Sequence, residues 1–252
     1  MEFATVISIG VTGLFVGFLI GSVGIGGVLL LPILTYLFGI DIHAAIAVAM
    51  FGYIFSGLVG SIIYNQHGSI KWSMAGWLIA GAMPGGLIGA IVASESPGLV
   101  LEALIGIFIL FAGARAIFVK SDPARSIEFL TGPKLIFIGF VTGVFSSLTG
   151  TGGPLVLVPL MVFLKVATHV AVGLSQVIQF PIAILATTGN YFFGLIDVTI
   201  AGIIAGGLTI GCTIGAKVAH KLSAAKMSKL VAWVLLCTGM MMICKIFIMF
   251  LL

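Results

Sequence analysis

Charged side chains are scarce in this sequence. Only 7% of its 252 residues are Asp, Glu, Lys or Arg, whereas 61% are hydrophobic. An ordinary soluble domain carries about 25% charged residues, so this chain could not cover a surface that faces water. In lipid, only helices or a closed barrel satisfy every backbone hydrogen bond. The apolar runs are long and continuous rather than alternating, and they therefore predict an all-α polytopic membrane protein.

Ionisable residues are also lacking in the middle of the apolar segments. The nearest acidic residues lie at segment ends: Asp41, Glu95, Asp197. Transport of metal cations is disfavoured, because such pathways usually need carboxylate ligands. The nearest basic residues also lie near segment ends: Arg115, Lys165, Lys217, Lys245. An anion within the membrane would therefore have to be held by neutral dipoles.

Cysteine is rare and shows no functional spacing. Cys212, Cys237 and Cys244 all lie in apolar stretches, and no two have the spacing of a metal site or a redox pair. We interpret them as small packing residues, with a reactive thiol as the alternative. No catalytic residue, cofactor or metal is expected, and we interpret the net charge of +4 as topological information rather than as a nucleic-acid surface. Met1-Glu2-Phe3 lacks the basic region of a signal peptide, so the first apolar stretch should remain as a span.

Charge, glycine and proline divide the chain into two sets of five apolar segments around a polar linker at 120–132. The first set, within 1–119, reads 3–22, 26–38, 43–64, 73–93 and 98–119. The second set, within 133–252, reads 133–149, 153–165, 169–190, 197–218 and 228–250. Most segments approach the roughly 20 residues that a span needs. The second segment of each half is much shorter, which predicts a broken or re-entrant helix.

The two halves repeat one another at an offset of 126 residues. Gly24-Ile25-Gly26-Gly27 corresponds to Gly150-Thr151-Gly152-Gly153, and His43 corresponds to His169. Further glycine pairs share the offset: Gly68 and Gly194, Gly81 and Gly207, Gly85 and Gly211, Gly89 and Gly215, Gly113 and Gly239. So many coincidences at one offset indicate two homologous repeats.

Charges at equivalent loop positions favour repeats of opposite orientation. Lys71 corresponds to Asp197, and Glu95 corresponds to Lys221. Because basic short loops remain in the cytoplasm, loops of opposite charge predict opposite sides of the membrane. The linker and the 217–229 loop would then be cytoplasmic, with both termini outside. Parallel repeats are the alternative, if these few charges carry no topological information.

Glycine-rich breaks interrupt the corresponding place in each half. Gly24, Gly26 and Gly27 form the first break, and Gly152, Gly153 and Pro154 the second. Glycine lets the backbone leave helical geometry, and proline suits the first turn of a new helix. Two helix N-termini would then meet near the midplane and present N–H groups to an anion. The alternative is close packing by small residues, which we prefer for the regularly spaced glycines 81, 85 and 89 and 207, 211 and 215.

Neutral polar side chains concentrate in the second half. Ser175, Gln176 and Gln179 share one side of the eighth segment, which ends near Asn190, and Thr151 lies in the second break. Their first-half equivalents include Ala49, Met50 and Tyr53. Polar groups in hydrocarbon are costly, so we predict an asymmetric substrate site at these residues, with interhelical hydrogen bonding as the alternative role. His43 and His169 could titrate, but a packing role at the helix boundaries is preferred.

The order and duplication of these motifs resemble the TauE/SafE family of sulfite exporters. The best stretch is Gly150-Thr151-Gly152-Gly153-Pro154-Leu155, followed by Pro159 and the run from His169 to Ser175. The resemblance covers essentially the whole chain and implies transport of a small sulfur-containing anion, such as sulfite or a sulfonate. The first half reads Ala47-Val48-Ala49, where the family often has Gly-Thr-Ser, so the ligand set should not be symmetric.

We therefore expect a secondary transporter of the cell inner membrane that works by alternating access. Its partners would be a small anion and the lipid bilayer, with proton or ion coupling and homo-oligomerisation as open options. A passive anion channel and a structural or assembly membrane protein without substrate are alternatives. A membrane-embedded enzyme is disfavoured because the spans offer no acid, base or nucleophile set.

Overall fold

A computed structural model describes residues 3–24, 26–118, 131–164, 166–192 and 197–219, together with 236, 240 and 244. Every regular element in these ranges is a helix. In chain order they are α1 Phe3–Val23, α2 Gly27–Pro32 with a π-helical continuation Ile33–Leu37, α3 Ile42–Gln66, α4 Trp72–Glu95, α5 Gly98–Phe118, α6 Gly132–Thr149, α7 Pro154–Phe163, α8 Thr168–Phe192 and α9 Val198–Ala219.

The described helices confirm the predicted all-α polytopic fold. Six of them, α1, α3, α4, α6, α8 and α9, are long and apolar enough to cross a membrane. The second segments of the two halves are short, as predicted, with α2 and its continuation ending at Leu37 and α7 ending at Phe163. Most of the tenth predicted segment, 228–250, and most of the 120–132 linker lie outside the described residues.

The molecule exposes apolar side chains and buries polar ones. Large hydrophobic residues such as Val11, Phe137 and Ile210 are well over half exposed, whereas Gln176 and Gln179 are fully buried. A water-soluble protein would show the reverse distribution, so this surface fits a lipid environment. The chain is a multi-pass protein of the cell membrane.

Helices of one half pack along helices of the other. α1 runs along α9, and α4 runs along α6. Glycine allows this approach, since a Cβ atom at Gly85 would meet the carbonyl of Phe140, and one at Gly211 would meet the carbonyl of Leu14. These two contacts are equivalent under the 126-residue offset. The packing role predicted for the regularly spaced glycines is confirmed, and the two halves interlock rather than lying side by side.

Helices that are equivalent in the two halves run in opposite directions. Along the α3–α8 contact, Gly57 faces Gln179 and Gly60 faces Gln176, so these equivalent helices are antiparallel. Along α1 and α9 the facing residues rise together, which makes that pair parallel: Gly13 and Ile204, Gly17 and Leu208, Gly21 and Cys212. The pair α4 and α6 is parallel in the same way. The contacts thus follow an approximate two-fold axis perpendicular to the helices.

Candidate functional site

Each glycine break packs against the opposite half of the chain. Gly24 has a φ of +79° and contacts Val172 of α8. Its equivalent, Gly150, has a φ of +62°, ends α6 in a left-handed conformation and contacts Ile46 of α3. Val172 and Ile46 are themselves equivalent under the offset. The predicted breaks are therefore present, and they cross one another at the centre of the bundle.

Tyr53 of α3 lies where the two breaks meet. Its hydroxyl donates to the backbone carbonyl of Gly27 at 2.7 Å, and its side chain is fully buried. A Cβ atom at Gly27 would lie 2.9 Å from the carbonyl oxygen of Thr151, and one at Gly152 would lie 2.8 Å from the Tyr53 ring. Glycine at both positions therefore lets the two backbones and this ring come together.

The breaks also lead directly into helix N-termini. The first short helix, Gly27–Leu37, begins at the glycine beside Tyr53, and α7 begins at Pro154, directly after Gly153. Helix N-termini carry unpaired N–H groups and a partial positive charge. Two such ends within one buried region form a neutral environment that favours an anion.

Buried amide side chains join this region from α8. The Gln179 amide donates to the Ser56 hydroxyl at 3.0 Å and to the carbonyl of Tyr53 at 3.4 Å. One turn earlier, the Gln176 amide donates to the carbonyl of Ile20 at 3.5 Å, at the end of the range for a hydrogen bond. The two glutamines thus tie α8 to α3 and to α1. These bonds are the interhelical hydrogen bonding that was the alternative role, and substrate binding by the two glutamines stays a prediction.

The structure brings together only part of the predicted substrate set. Gly27, Thr151, Gly152 and Gln179 all lie around Tyr53. Gly26 packs instead on Leu19 and Ile20 of its own half, and Gly153 faces Ile178 and Ile182. Gly24 lies on Val172, Gln176 contacts α1, and Pro154 starts α7.

Two predicted site residues stand apart from this cluster. The Ser175 hydroxyl donates to the carbonyl of Val172 on its own helix at 2.7 Å. Asn190 is buried, but it lies three turns beyond Gln179, which is about 16 Å along a helix axis. The sequence spacing predicted one site on α8, but the residues lie at different depths along that helix.

Sequence reasoning missed Tyr53 and Ser56 as site residues. The 126-residue offset makes Tyr53 the equivalent of Gln179, and this equivalence is the feature of the sequence that could have identified Tyr53. Because α3 and α8 are equivalent and antiparallel, equivalent residues such as Tyr53 and Gln179 come together where the two helices cross. Cys212 has the expected packing role, with its thiol 3.4 Å from the carbonyl of Ser56.

A cavity of about 450 Å³ lies elsewhere, beside the start of α3 and α5. Asp41 and Glu102 line it, and Tyr36 donates to the Glu102 carboxylate at 2.7 Å. Two carboxylates would repel an anion, so this cavity does not fit the predicted substrate class. The described residues contain no group of three or more His, Cys, Asp or Glu side chains that could hold a metal ion.

The sequence matches the model of a known protein family. The family described as "Sulfite exporter TauE/SafE" matches residues 9–242. The chain belongs to the TauE/SafE family. The predicted family resemblance is thereby confirmed, and it extends over nearly the whole length of this TauE/SafE protein. No solved structure matches the chain.

Relatives of this TauE/SafE protein carry transporter names. A probable membrane transporter protein of Bacillus subtilis is 28% identical over 72% of this chain and 77% of its own length. A probable membrane transporter protein of Methanocaldococcus jannaschii is 25% identical over 91% of this chain and 94% of its own. One from Xylella fastidiosa is 26% identical over 88% of this chain and 87% of its own. These names support membrane transport without giving a substrate.

Proposed function

We propose that this protein is a secondary transporter that moves a small sulfur-containing anion of the sulfite or sulfonate type by alternating access. The observation that carries this proposal is the meeting of the two glycine breaks around Tyr53. Backbone N–H groups at the two helix N-termini offer neutral hydrogen-bond donors there, and the Tyr53 hydroxyl and the Gln179 amide hold the surrounding backbone by donating to the carbonyls of Gly27 and Tyr53. The family name supports the choice of substrate class.

We further propose that the two repeats are inverted across the membrane. The helix directions place Lys71 and Lys217 at one end of the bundle and Glu95 and Asp197 at the other. Under the positive-inside rule the lysine end is cytoplasmic. Inverted repeats of this kind can exchange conformations, and a site between them would then open alternately to the two sides.

Flux into proteoliposomes tests the transport proposal. Purified protein should take up radiolabelled sulfite, with taurine and sulfoacetate as sulfonate comparisons, both with and without an imposed pH gradient. Saturable uptake above that of empty vesicles supports a carrier, and dependence on the gradient would identify proton coupling. Rates near those of free diffusion through a pore would indicate a passive channel instead. No flux of any of these anions would contradict the proposal and favour a structural role.

Substitution of Tyr53 tests the location of the site. Tyr53→Phe removes the hydrogen bond that the hydroxyl donates to the carbonyl of Gly27 beside the breaks. We expect the apparent KM for sulfite to rise about fivefold to tenfold, because one buried hydrogen bond contributes roughly 1 kcal/mol.

Tyr36→Phe is the matched control for this variant. It removes a hydroxyl that donates over the same distance, to Glu102, at the other end of the first short helix. It should leave the KM unchanged. Equal effects of the two substitutions would place the substrate away from the breaks.

A further inference from the structure

A stripe of hydroxyl groups runs along α6 toward the second glycine break. Thr142, Ser146 and Thr149 follow one another at helical spacing of four and three residues and share one side of the helix. The equivalent positions on α1 carry aliphatic side chains: Val16, Ile20, Val23. Threonine and valine have nearly the same shape, so at two of these three pairs the halves differ in polarity much more than in volume, whereas Ser146 is also smaller than Ile20.

Three hydroxyl groups on this part of α6 are buried without partners. Thr142 and Ser146 are fully buried and Ser147 is 1% exposed, yet their oxygens have no hydrogen-bond partner within the described residues. Other hydroxyl groups donate back to their own helix, as Thr149 does to Phe145 at 2.6 Å and Thr213 to Thr209 at 2.7 Å. The other buried hydroxyls without a partner among the described residues, those of Thr35 and Thr187, are isolated in sequence. Unpaired hydroxyl groups are costly to bury, so three within six residues indicate a missing ligand.

The other half closes the equivalent space with larger side chains. There the Tyr64 hydroxyl donates to the carbonyl of Gly21 at 2.9 Å, and the Cys212 thiol lies against Ser56. Both side chains are buried. On this side, therefore, the carbonyl at the end of α1 is capped and the space is filled.

Small residues take these places in the second half. Asn190 stands where Tyr64 does under the offset, Gly86 stands where Cys212 does, and Ser147 replaces Gly21. A Cβ atom at Gly86 would lie 3.5 Å from the Ser147 hydroxyl, so this oxygen faces α4 at a position without a side chain. The equivalent places thus carry Tyr64 and Cys212 in the first repeat and its contacts, and the smaller Asn190 and Gly86 in the second.

We propose that Thr142, Ser146 and Ser147 form a second binding site for a small oxyanion, on α6 between the lysine end of the bundle and the second glycine break. Hydroxyl groups donate to an oxyanion, and the buried residues among the described ones include no carboxylate that would oppose its charge. The site rests on the proposed transport function and holds the anion on the cytoplasmic side of the second break. Thr149 and Thr151, whose hydroxyls are 3.0 Å apart, continue the stripe into the break.

Removal of single hydroxyl groups tests this site in proteoliposomes. Thr142→Val and Ser147→Ala should each raise the apparent KM for sulfite about tenfold, since a hydrogen bond to a charged group is worth more than a neutral one. Thr142→Ser keeps the hydroxyl and should restore most of the affinity. Thr213→Val removes a hydroxyl that is already satisfied on α9 and should leave the KM unchanged. Unchanged KM values in both α6 variants would overturn the site.

Cysteine accessibility gives a readout that does not depend on flux. In a background with Cys237 and Cys244 replaced by alanine, Thr142→Cys in inside-out vesicles should react from the cytoplasmic side with the anionic reagent methanethiosulfonate ethylsulfonate, and sulfoacetate, which does not consume the reagent, should slow the reaction. Val16→Cys, the equivalent position on α1, is the matched control and should stay unreactive. Labelling of the background without either substitution measures any contribution of the buried Cys212.

The outcomes separate this site from the transport proposal. Sulfite flux without labelling of Thr142→Cys would overturn the second site and leave transport intact. Labelling that sulfoacetate does not slow, and that a neutral reagent of similar size matches, would indicate a water-filled cavity and also overturn the site. Labelling that sulfoacetate slows in a protein without flux of sulfite or sulfoacetate would support the site and contradict transport.

Discussion

At the scale of single residues, backbone conformation at the breaks sets strict limits on sequence. Gly150 adopts a φ of +62° at the end of α6, a conformation that costs other residues about 1–2 kcal/mol. It is also enclosed, since an added Cβ would lie 3.0 Å from both Leu31 and Ile46. Conformation and packing therefore require glycine here for separate reasons.

Gly150→Ala should lower the free energy of unfolding by about 1–2 kcal/mol. A thermal melt in detergent measures the change. Gly202→Ala is the control, because Gly202 is exposed within α9 and a Cβ there would contact nothing within 4 Å. The control should be neutral or slightly stabilising, since alanine favours a helix more than glycine does. Equal melting temperatures for Gly150→Ala and the native protein would contradict the strain.

The sequence predicts which residue types form the candidate site, but it does not predict which residues each of them contacts. Glycine and proline identified the breaks because their backbone preferences are local properties. The contact of Tyr53 with Gly27 and Thr151 depends on how three segments cross, which local preferences do not determine. Asn190 shows the same limit: the sequence shows that its side chain is polar, but three helical turns separate it from Gln179.

At the scale of helices, glycine faces determine which pairs pack closely. The α4–α6 and α1–α9 contacts use equivalent glycines against equivalent backbone carbonyls. The four-residue spacing predicted a packing role, but it could not say which helix would lie opposite. In each case the partner helix belongs to the other half of the chain, and only the folded structure shows this pairing.

Gly85→Ala and Gly211→Ala should destabilise the protein by similar amounts, about 1–3 kcal/mol each, because each added methyl forces two helices apart. Thermal melts of both variants measure this. Gly76→Ala on α4 is the control, since a Cβ at Gly76 would contact nothing within 4 Å. A large effect at one position and none at the other would show that the two interfaces are not equivalent.

At the scale of the whole molecule, the loop charges and the helix directions both support the proposed inversion of the two repeats. The sequence supplied only a few loop charges in support, because a membrane protein carries few. Helix directions add an independent argument, since α3 and α8 are antiparallel while occupying equivalent places in their repeats.

Cysteine labelling of an equivalent pair of exposed loop residues decides the orientation. Lys71→Cys and Asp197→Cys occupy the same place in their repeats, and both native side chains are exposed. In intact cells a membrane-impermeant maleimide should label Asp197→Cys, whereas Lys71→Cys should need permeabilised cells. Labelling of both from the same side would establish parallel repeats and exclude the inversion.

The interlocked halves also constrain how the protein is made. α1 leaves the ribosome first, but its glycine face fits α9, which is synthesised almost two hundred residues later. Until then the earlier helices can be inserted in the bilayer but cannot reach their final packing, and long-range contacts of this kind slow folding. A gene cut at the linker should therefore yield two fragments that are each incomplete in the membrane and that assemble only when they are produced together.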